Sequence, residues 1–156
     1  MEEPISKPPS SDWETIYKDS RYVFEMPTGS FDFALNGEEG PYVDLAQSVT
    51  MITAWNPNSD ERPQDWNEAA NLRLQQSLKE AGYEFYPAKG ASLPGVTPDW
   101  EESGFAVLGW DRELASRWGR TWAQRAVVFL TADASELIFC KTETVVTCGL
   151  SRFATQ

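Results

Sequence analysis

The chain has 156 residues, of which 41% are hydrophobic and 24% charged, a composition typical of a globular domain and not of a disordered chain. Its net charge of −11 argues against direct binding to nucleic acid phosphates or to anionic membrane surfaces, because like charges repel. The sequence contains no histidine, which excludes histidine general bases, His-activated nucleophiles and Cys/His zinc sites.

The sequence shows neither a membrane span nor a signal peptide. No apolar run reaches the roughly 18 residues that a membrane span needs. Residues 1–13 lack the basic and apolar regions of a signal peptide, so we expect a cytoplasmic protein without a membrane partner. The Pro, Ser and Glu content of residues 1–10 predicts a disordered leader, and residues 11–156 are predicted to form a single domain.

The first third of the chain predicts one helix and three strands. Residues 11–20 predict a short helix that begins at Ser11 or Asp12. Residues 21–26 and 31–35 predict two strands that pair as a hairpin. The stretch 48–55, SVTMITAW, is rich in β-branched residues and apolar on both faces, which predicts a central strand.

The remainder predicts two helices between further strands. Asp65 followed by Glu68 predicts a capping box and a helix that ends at Ala81, before Gly82. Asp111 predicts the start of a second helix, over residues 111–119. The strands predicted in this part of the chain are 83–88, 104–110, 126–130, 136–140 and 144–148, the last two forming a C-terminal hairpin.

The order strand, helix, strand, strand, helix, strand over residues 48–130 is the split βαβ pattern. We therefore predict an α+β fold: a single-domain, ferredoxin-like α/β sandwich with an extra N-terminal helix and strands and a C-terminal β-hairpin. Right-handed crossovers would place strand 48–55 parallel to strand 104–110 in a mixed sheet, with both helices on one face. Strand 126–130 would flank the first of these, and strand 83–88 the second, both antiparallel.

The chain has two cysteines, Cys140 and Cys148. A hairpin between the last two strands would place Cys140 opposite Val145 and Cys148 opposite Leu137. Because the two sulfurs would then lie too far apart to bridge, we expect two free thiols.

Four segments together form an unusual series: TAWNPNS (53–59), NEAANLRLQQSL (67–78), WEES (100–103) and RWGRTWAQRAVVF (117–129). They resemble the bacterial family of the domain of unknown function 3293, and the resemblance covers roughly residues 48–130. It implies that Asn56, Ser59, Glu102 and Gln124 match motif positions. The family brings no known activity, so the resemblance implies no catalytic residue.

Polar and aromatic side chains at strand ends are the candidates for ligand binding. Asn56 ends the central strand and Gln124 precedes its antiparallel neighbour, so the two amides are predicted to share a rim about 5 Å across. Amides both donate and accept hydrogen bonds, and tryptophans at strand ends can stack on a ligand. The predicted ligand-binding residues are Trp55, Asn56, Ser59, Trp100 and Gln124. Alternatively, the sequence NPNS forms a turn that satisfies its own backbone.

Glu102 is the candidate for acid or base catalysis, with a solvated strand start as the alternative. In the predicted sheet it lies at the end opposite to Asn56. The two helix caps, Asp65 and Asp111, are predicted on the rim with Asn56, where two helix amino termini would favour a small anion or an amide.

The function predicted from these features is a binding module for a protein partner or a small-molecule ligand, using the rim of Trp55, Asn56 and Gln124. No metal and no cofactor is predicted. Two alternatives stay open: a small enzyme that uses Glu102, and an acidic inhibitor of a nucleic-acid-handling protein. The sequence has no nucleotide-binding fingerprint, which weighs against the enzyme, and its acids are scattered, which weighs against the inhibitor.

Overall fold

The computed structural model describes residues 12–97 and 99–153, so the leader predicted over residues 1–10 lies outside the described residues. In chain order the helices and strands are α1 Trp13–Lys18, β1 Ser20–Met26, β2 Gly29–Glu39, β3 Val49–Ile52, α2 Gln64–Ala81, β4 Phe85–Ser92, β5 Glu101–Leu108, α3 Arg112–Thr121, β6 Ala126–Leu130, β7 Ser135–Phe139, β8 Thr144–Cys148 and β9 Leu150–Arg152. A short 3-10 turn, Pro57–Ser59, lies between β3 and α2.

The described strands form one nine-stranded sheet in the order β8-β7-β6-β3-β5-β4-β1-β2-β9. Each neighbouring pair is antiparallel. The two strands at the ends of this order, β8 and β9, are consecutive in the chain and only Gly149 separates them. The two edges of the sheet must therefore approach each other, and the sheet curls into a nearly closed barrel.

The predicted ferredoxin-like sandwich is wrong. The segments predicted as additions to a four-stranded sheet are strands of the same sheet: β1, β2 and β9 extend it beyond β4, and β7 and β8 extend it beyond β6. A sheet of nine strands that accumulates the usual twist curls on itself instead of lying flat beneath two helices.

The predicted parallel pairing of the two central strands is also wrong. Val49 faces Leu108 and Ile52 faces Phe105, so β3 and β5 are antiparallel. The crossover through α2 leads from β3 to β4, and β5 then returns beside β4 with the opposite direction. The antiparallel neighbours predicted for these strands, β6 beside β3 and β4 beside β5, are confirmed, as are the hairpins β1–β2 and β7–β8.

Successive side chains of a strand point to opposite faces of the sheet, and apolar side chains on the two faces form two cores. The barrel core lies inside the sheet and takes side chains from all nine strands, with Phe24, Phe33, Val49 and Leu137 among its buried members. The helix-covered core lies outside β3, β5, β6 and β7, where α2 and α3 pack against the sheet. Because both helices contribute to this second core, their predicted placement on one face is confirmed.

The helix starts follow the sequence at one cap and not at the other. The Asp111 carboxylate accepts a hydrogen bond from the Leu114 backbone N–H at 2.8 Å, as predicted for an N-cap. The capping box predicted at Asp65 is wrong, because α2 begins two residues earlier than predicted, with Pro63 instead of Asp65 at the N-cap position. None of the three helices in the described ranges has the length and apolar character needed to cross a bilayer.

Candidate ligand-binding site at the barrel mouth

The break after β3 is held by a pair of asparagines. The Asn56 side-chain oxygen accepts from the Arg62 backbone N–H at 2.9 Å and from the Asn67 amide at 2.8 Å. The Asn67 oxygen in turn accepts from the Asn56 backbone N–H at 2.9 Å. These bonds end the strand and carry the chain into α2. They also fix the orientation of the Asn56 amide, since a backbone N–H can only donate.

Left-handed backbone is concentrated at this turn. Asn56, Asn58 and Ser59 have φ values of 46°, 58° and 63°, and Ala123 before β6 has a φ of 56°. The two segments are bonded to each other, because the Asn58 N–H donates to the Ala123 carbonyl at 2.6 Å. Asparagine tolerates this conformation, whereas serine and alanine adopt it at a cost of order 1–3 kcal/mol. Such strain is concentrated at functional sites, and here it shapes one wall of a cleft.

This cleft, which we call the rim cleft, lies at the mouth of the barrel. Its volume is about 10 Å³, close to the space of one water molecule. It is lined by Tyr17, Trp55, Asn56, Ser59, Glu102, Gln124 and Arg125. Four of the five predicted ligand-binding residues and the predicted acid or base therefore lie at one place.

Glu102 lies in the rim cleft because β3 and β5 are antiparallel. The end of β3 faces the start of β5, with Ile52 opposite Phe105, and this brings Glu102 to the end of the barrel that holds Asn56. The predicted separation of these two residues depended on a parallel pairing and is wrong. The Glu102 side chain is buried, with 7% of its surface exposed.

Gln124 occupies the rim beside the turn, as predicted. Its amide nitrogen donates to the Trp55 carbonyl at 3.3 Å and to the Trp122 carbonyl at 3.2 Å. Both N–H groups are directed at backbone oxygens, so the side-chain oxygen is the part of Gln124 left to accept a bond from a ligand. Asn56 and Gln124 thus line the same cleft, and their binding of a ligand stays a prediction.

Two residues of the rim cleft were not predicted, Tyr17 and Arg125. Arg125 donates from Nε to the Ser59 hydroxyl at 3.0 Å, and its guanidinium lies 4.2 Å above the Trp13 ring. Tyr17 comes from α1, which covers the mouth of the barrel, and it lines the cleft together with Ser59. Burial and the nearby Glu102 carboxylate raise the pKa of the Tyr17 phenol well above its usual value, so it is neutral near pH 7. The spacing of Trp13 and Tyr17, four residues apart on one helix face, is the sequence signal that could have identified this covering helix.

A second cavity lies next to the rim cleft, inside the barrel. This interior cavity has a volume of about 60 Å³ and shares Tyr17, Glu102 and Gln124 with the rim cleft. Trp100, the fifth predicted ligand-binding residue, lines the interior cavity and not the rim cleft. The remaining wall is mostly apolar, with Tyr22, Met51, Phe105 and Val128 among its residues.

The helix caps do not contribute to this site. Asp111 follows the end of β5, and Leu108 at that end faces Val49 at the start of β3, so Asp111 lies at the opposite end of the barrel. Neither Asp65 nor Asp111 lines the rim cleft or the interior cavity. The predicted rim of two helix amino termini is wrong because it depended on a parallel pairing of β3 and β5, and these strands are antiparallel.

Both thiols are free, as predicted, although the hairpin register differs from the predicted one. Cys148 lies opposite Ser135 instead of Leu137. Cys140 is buried beneath α3. Within residues 12–97 and 99–153, no group of three or more cysteine, aspartate or glutamate side chains is placed to hold a metal ion.

The comparisons with known proteins concern the same part of the molecule. No curated protein and no solved structure matches the chain. The model of the family described as "protein of unknown function (DUF3293)" matches residues 52–127, just under half of the chain. This range runs from the end of β3 to the start of β6 and includes each residue of the rim cleft except Tyr17. The similarity of residues 52–127 to this family is therefore confirmed, as the resemblance predicted.

Proposed function

We propose that this protein binds a small molecule at the mouth of the barrel, with a polar group in the rim cleft and an apolar group in the interior cavity. The observation that carries the proposal is the convergence of Trp55, Asn56, Ser59, Glu102 and Gln124, which come from separate segments of the chain, on one cleft. Sites of this kind combine an apolar pocket with a few converging polar groups, and they occur in the mouths of barrels.

The polar groups at the cleft offer a ligand both donors and acceptors. The Asn56 oxygen is occupied by two bonds of the turn, which leaves the amide N–H groups as its free part among the described contacts. Gln124 has the complementary arrangement, since its N–H groups are occupied and its oxygen is left to accept. Because backbone partners fix both amides, they are already oriented before a ligand arrives, which lowers the entropic cost of binding.

The size of the two cavities limits the ligand. The rim cleft, at about 10 Å³, has room for one atom the size of a water oxygen, and the interior cavity, at about 60 Å³, admits a group of a few non-hydrogen atoms. A ligand that fills both would extend from the rim past Glu102 towards Trp100, two residues that border the interior cavity. Larger ligands would require α1 to move from the mouth.

A fragment screen by ligand-observed NMR would test the proposal. We expect hits whose binding weakens at least fivefold in the Gln124→Ala variant and in the Ser59→Ala variant. The matched control is Gln76→Ala, which removes the same side chain from an exposed position on α2. Hits that bind all four proteins equally would contradict the proposal, as would the absence of any hit.

A buried carboxylate that borders both cavities favours a second candidate, an enzyme in which Glu102 transfers a proton. Mass spectrometry of the hits after incubation with the protein would test it. Conversion by the wild type, lost in Glu102→Gln while the ligand still binds, would support catalysis. Unchanged hits would leave the protein a binding module.

A further inference from the structure

We infer that the ligand carries a carboxylate group and that Arg125 binds it. This inference rests on the proposed binding of a small molecule at the rim cleft and specifies the chemistry of that ligand. It starts from the contacts of Arg125, which neither the sequence motifs nor the proposed function used.

Two contacts hold the guanidinium of Arg125 in place. Its Nε donates to the Ser59 hydroxyl at 3.0 Å, and its guanidinium carbon lies over the Trp13 ring, 4.2 Å from the ring centre. Cation–π contact and a fixed Nε bond reduce the rotamer freedom that an arginine otherwise loses when it binds a ligand. The two Nη groups are left as a fork, the geometry that matches a planar carboxylate.

Arg125 differs from most arginines of this acidic chain. Five others form ion pairs within 4.0 Å: Arg21, Arg112, Arg117, Arg120 and Arg152. Among the described residues, Arg125 has no carboxylate within that distance, although it is half-buried at the cleft. A partly buried guanidinium with no carboxylate at ion-pair distance is stabilised when an anion binds it.

The neighbours of Arg125 also favour an anion. Ser59 lines the same cleft and carries a hydroxyl, and the free part of Asn56 consists of N–H groups. Glu102 lines the same cleft, so its carboxylate would repel a bound anion. This repulsion is about twice as strong for a doubly charged phosphate as for a singly charged carboxylate.

Titration of acetate into ¹⁵N-labelled protein tests this inference directly. The signals to follow are the Arg125 Nε–H and the Trp13 indole N–H, with chloride adjusted to hold the ionic strength constant. We expect saturable shifts of both signals with acetate, and weaker binding of inorganic phosphate at pH 7.5. In Arg125→Gln the acetate affinity should fall at least tenfold, and in Arg125→Lys, which keeps the charge but loses the fork, by several-fold.

The matched control is Arg73→Gln, because Arg73 is exposed on α2 and its loss changes the net charge equally. Acetate should bind this variant as it binds the wild type. The inference is overturned if acetate gives no saturable shift, if Arg125→Gln and Arg125→Lys both bind it normally, or if phosphate binds more tightly. Neutral fragments that bind the cleft equally well in wild type and Arg125→Gln would also overturn it, while leaving the proposed function intact.

Discussion

Asn56 combines a structural role with a position at the candidate site. Its oxygen ends β3 through bonds to Arg62 and Asn67, and only its N–H groups are left for a ligand. Asn56 can therefore hold the turn through its side-chain oxygen and bind a ligand through its side-chain N–H groups. Substitutions that change only one of these groups can separate the two roles.

Replacing Asn56 by alanine should lower the free energy of unfolding by about 1–3 kcal/mol, because the Arg62 N–H and the Asn67 amide lose their acceptor. Asn56→Asp keeps an acceptor at the same position and tolerates the left-handed backbone, so it should lose less stability than alanine. Urea unfolding of the three proteins measures both effects. Equal destabilisation by the two substitutions would show that the oxygen does not hold the turn.

The two thiols should differ in reactivity. Burial raises the pKa of Cys140 to about 11, so at pH 8 only about one molecule in a thousand carries the thiolate there. Cys148 is half-exposed and should react first with a thiol reagent in the native protein, whereas unfolding without reductant should release two reactive thiols. Because folding raises the pKa of Cys140 above 9.0, its contribution to stability is full below pH 9 and declines towards pH 11. Rapid reaction of both thiols in the native state at pH 8 would contradict this burial.

The site residues predicted from the sequence lie at the ends of strands, whereas those that were missed depend on a long-range contact. Asn56, Ser59 and Gln124 follow or precede strands directly, so strand ends located them. Tyr17 and Arg125 meet only because α1 lies across the mouth of the barrel, a long-range contact that no local pattern encodes.

At the scale of elements, the direction of β5 decides where Glu102 lies. The order of helices and strands in residues 48–130 was predicted correctly, and so were the antiparallel neighbours of β3 and β5. Local periodicity identifies elements but not the relative direction of strands brought together by a crossover. The single wrong direction moved the predicted position of Glu102 to the opposite end of the barrel.

The packing of α3 on β7 gives a test at this scale. A side chain at Gly119 would place Cβ 2.3 Å from the Cys140 sulfur. Gly119→Ala should therefore destabilise the protein by about 1–3 kcal/mol, although the same change in an open helix stabilises by about 0.5–1 kcal/mol.

The Gly119→Ala/Cys140→Ala double variant should recover part of this loss, because alanine removes the sulfur that the new methyl group meets. Thermal or urea unfolding of the two single variants and the double variant completes the cycle. If the loss of stability in the double variant equals the sum of the two single losses, the clash with the Cys140 sulfur is not the cause of the Gly119→Ala destabilisation.

At the scale of the whole molecule, the sheet closes only if two backbone segments, at Gly37 and Gly149, come very close together. We call this contact the seam. Gly149 joins β8 to β9, and Gly37 lies across the seam, where its N–H donates to the Gly149 carbonyl at 3.2 Å. A Cβ at Gly149 would lie 2.2 Å from the Gly37 carbonyl oxygen. The sequence around Gly37 and Gly149 does not predict this contact, because the two residues are more than 100 positions apart and only the closed sheet brings them together.

Gly149→Ala should lower the stability by about 1–3 kcal/mol and increase amide hydrogen exchange in β2 and β9, since the backbone must retreat at the seam. Gly40→Ala is the control, as a Cβ there would meet no atom within 4 Å. Unchanged exchange in β2 and β9 of the Gly149 variant would show that the seam does not hold these strands.

The central claim, that the mouth of the barrel is a ligand site, is tested most directly by ¹⁹F NMR of protein labelled with fluorotryptophan. Trp55 lies in the rim cleft, Trp100 in the interior cavity and Trp13 against Arg125, whereas Trp66 is exposed on α2 and Trp110 is buried in the helix-covered core. Ligands from the fragment screen should shift the signals of Trp55, Trp100 and Trp13 and leave those of Trp66 and Trp110 in place. Shifts confined to Trp66 or Trp110 would contradict the claim and place the binding surface elsewhere on the molecule.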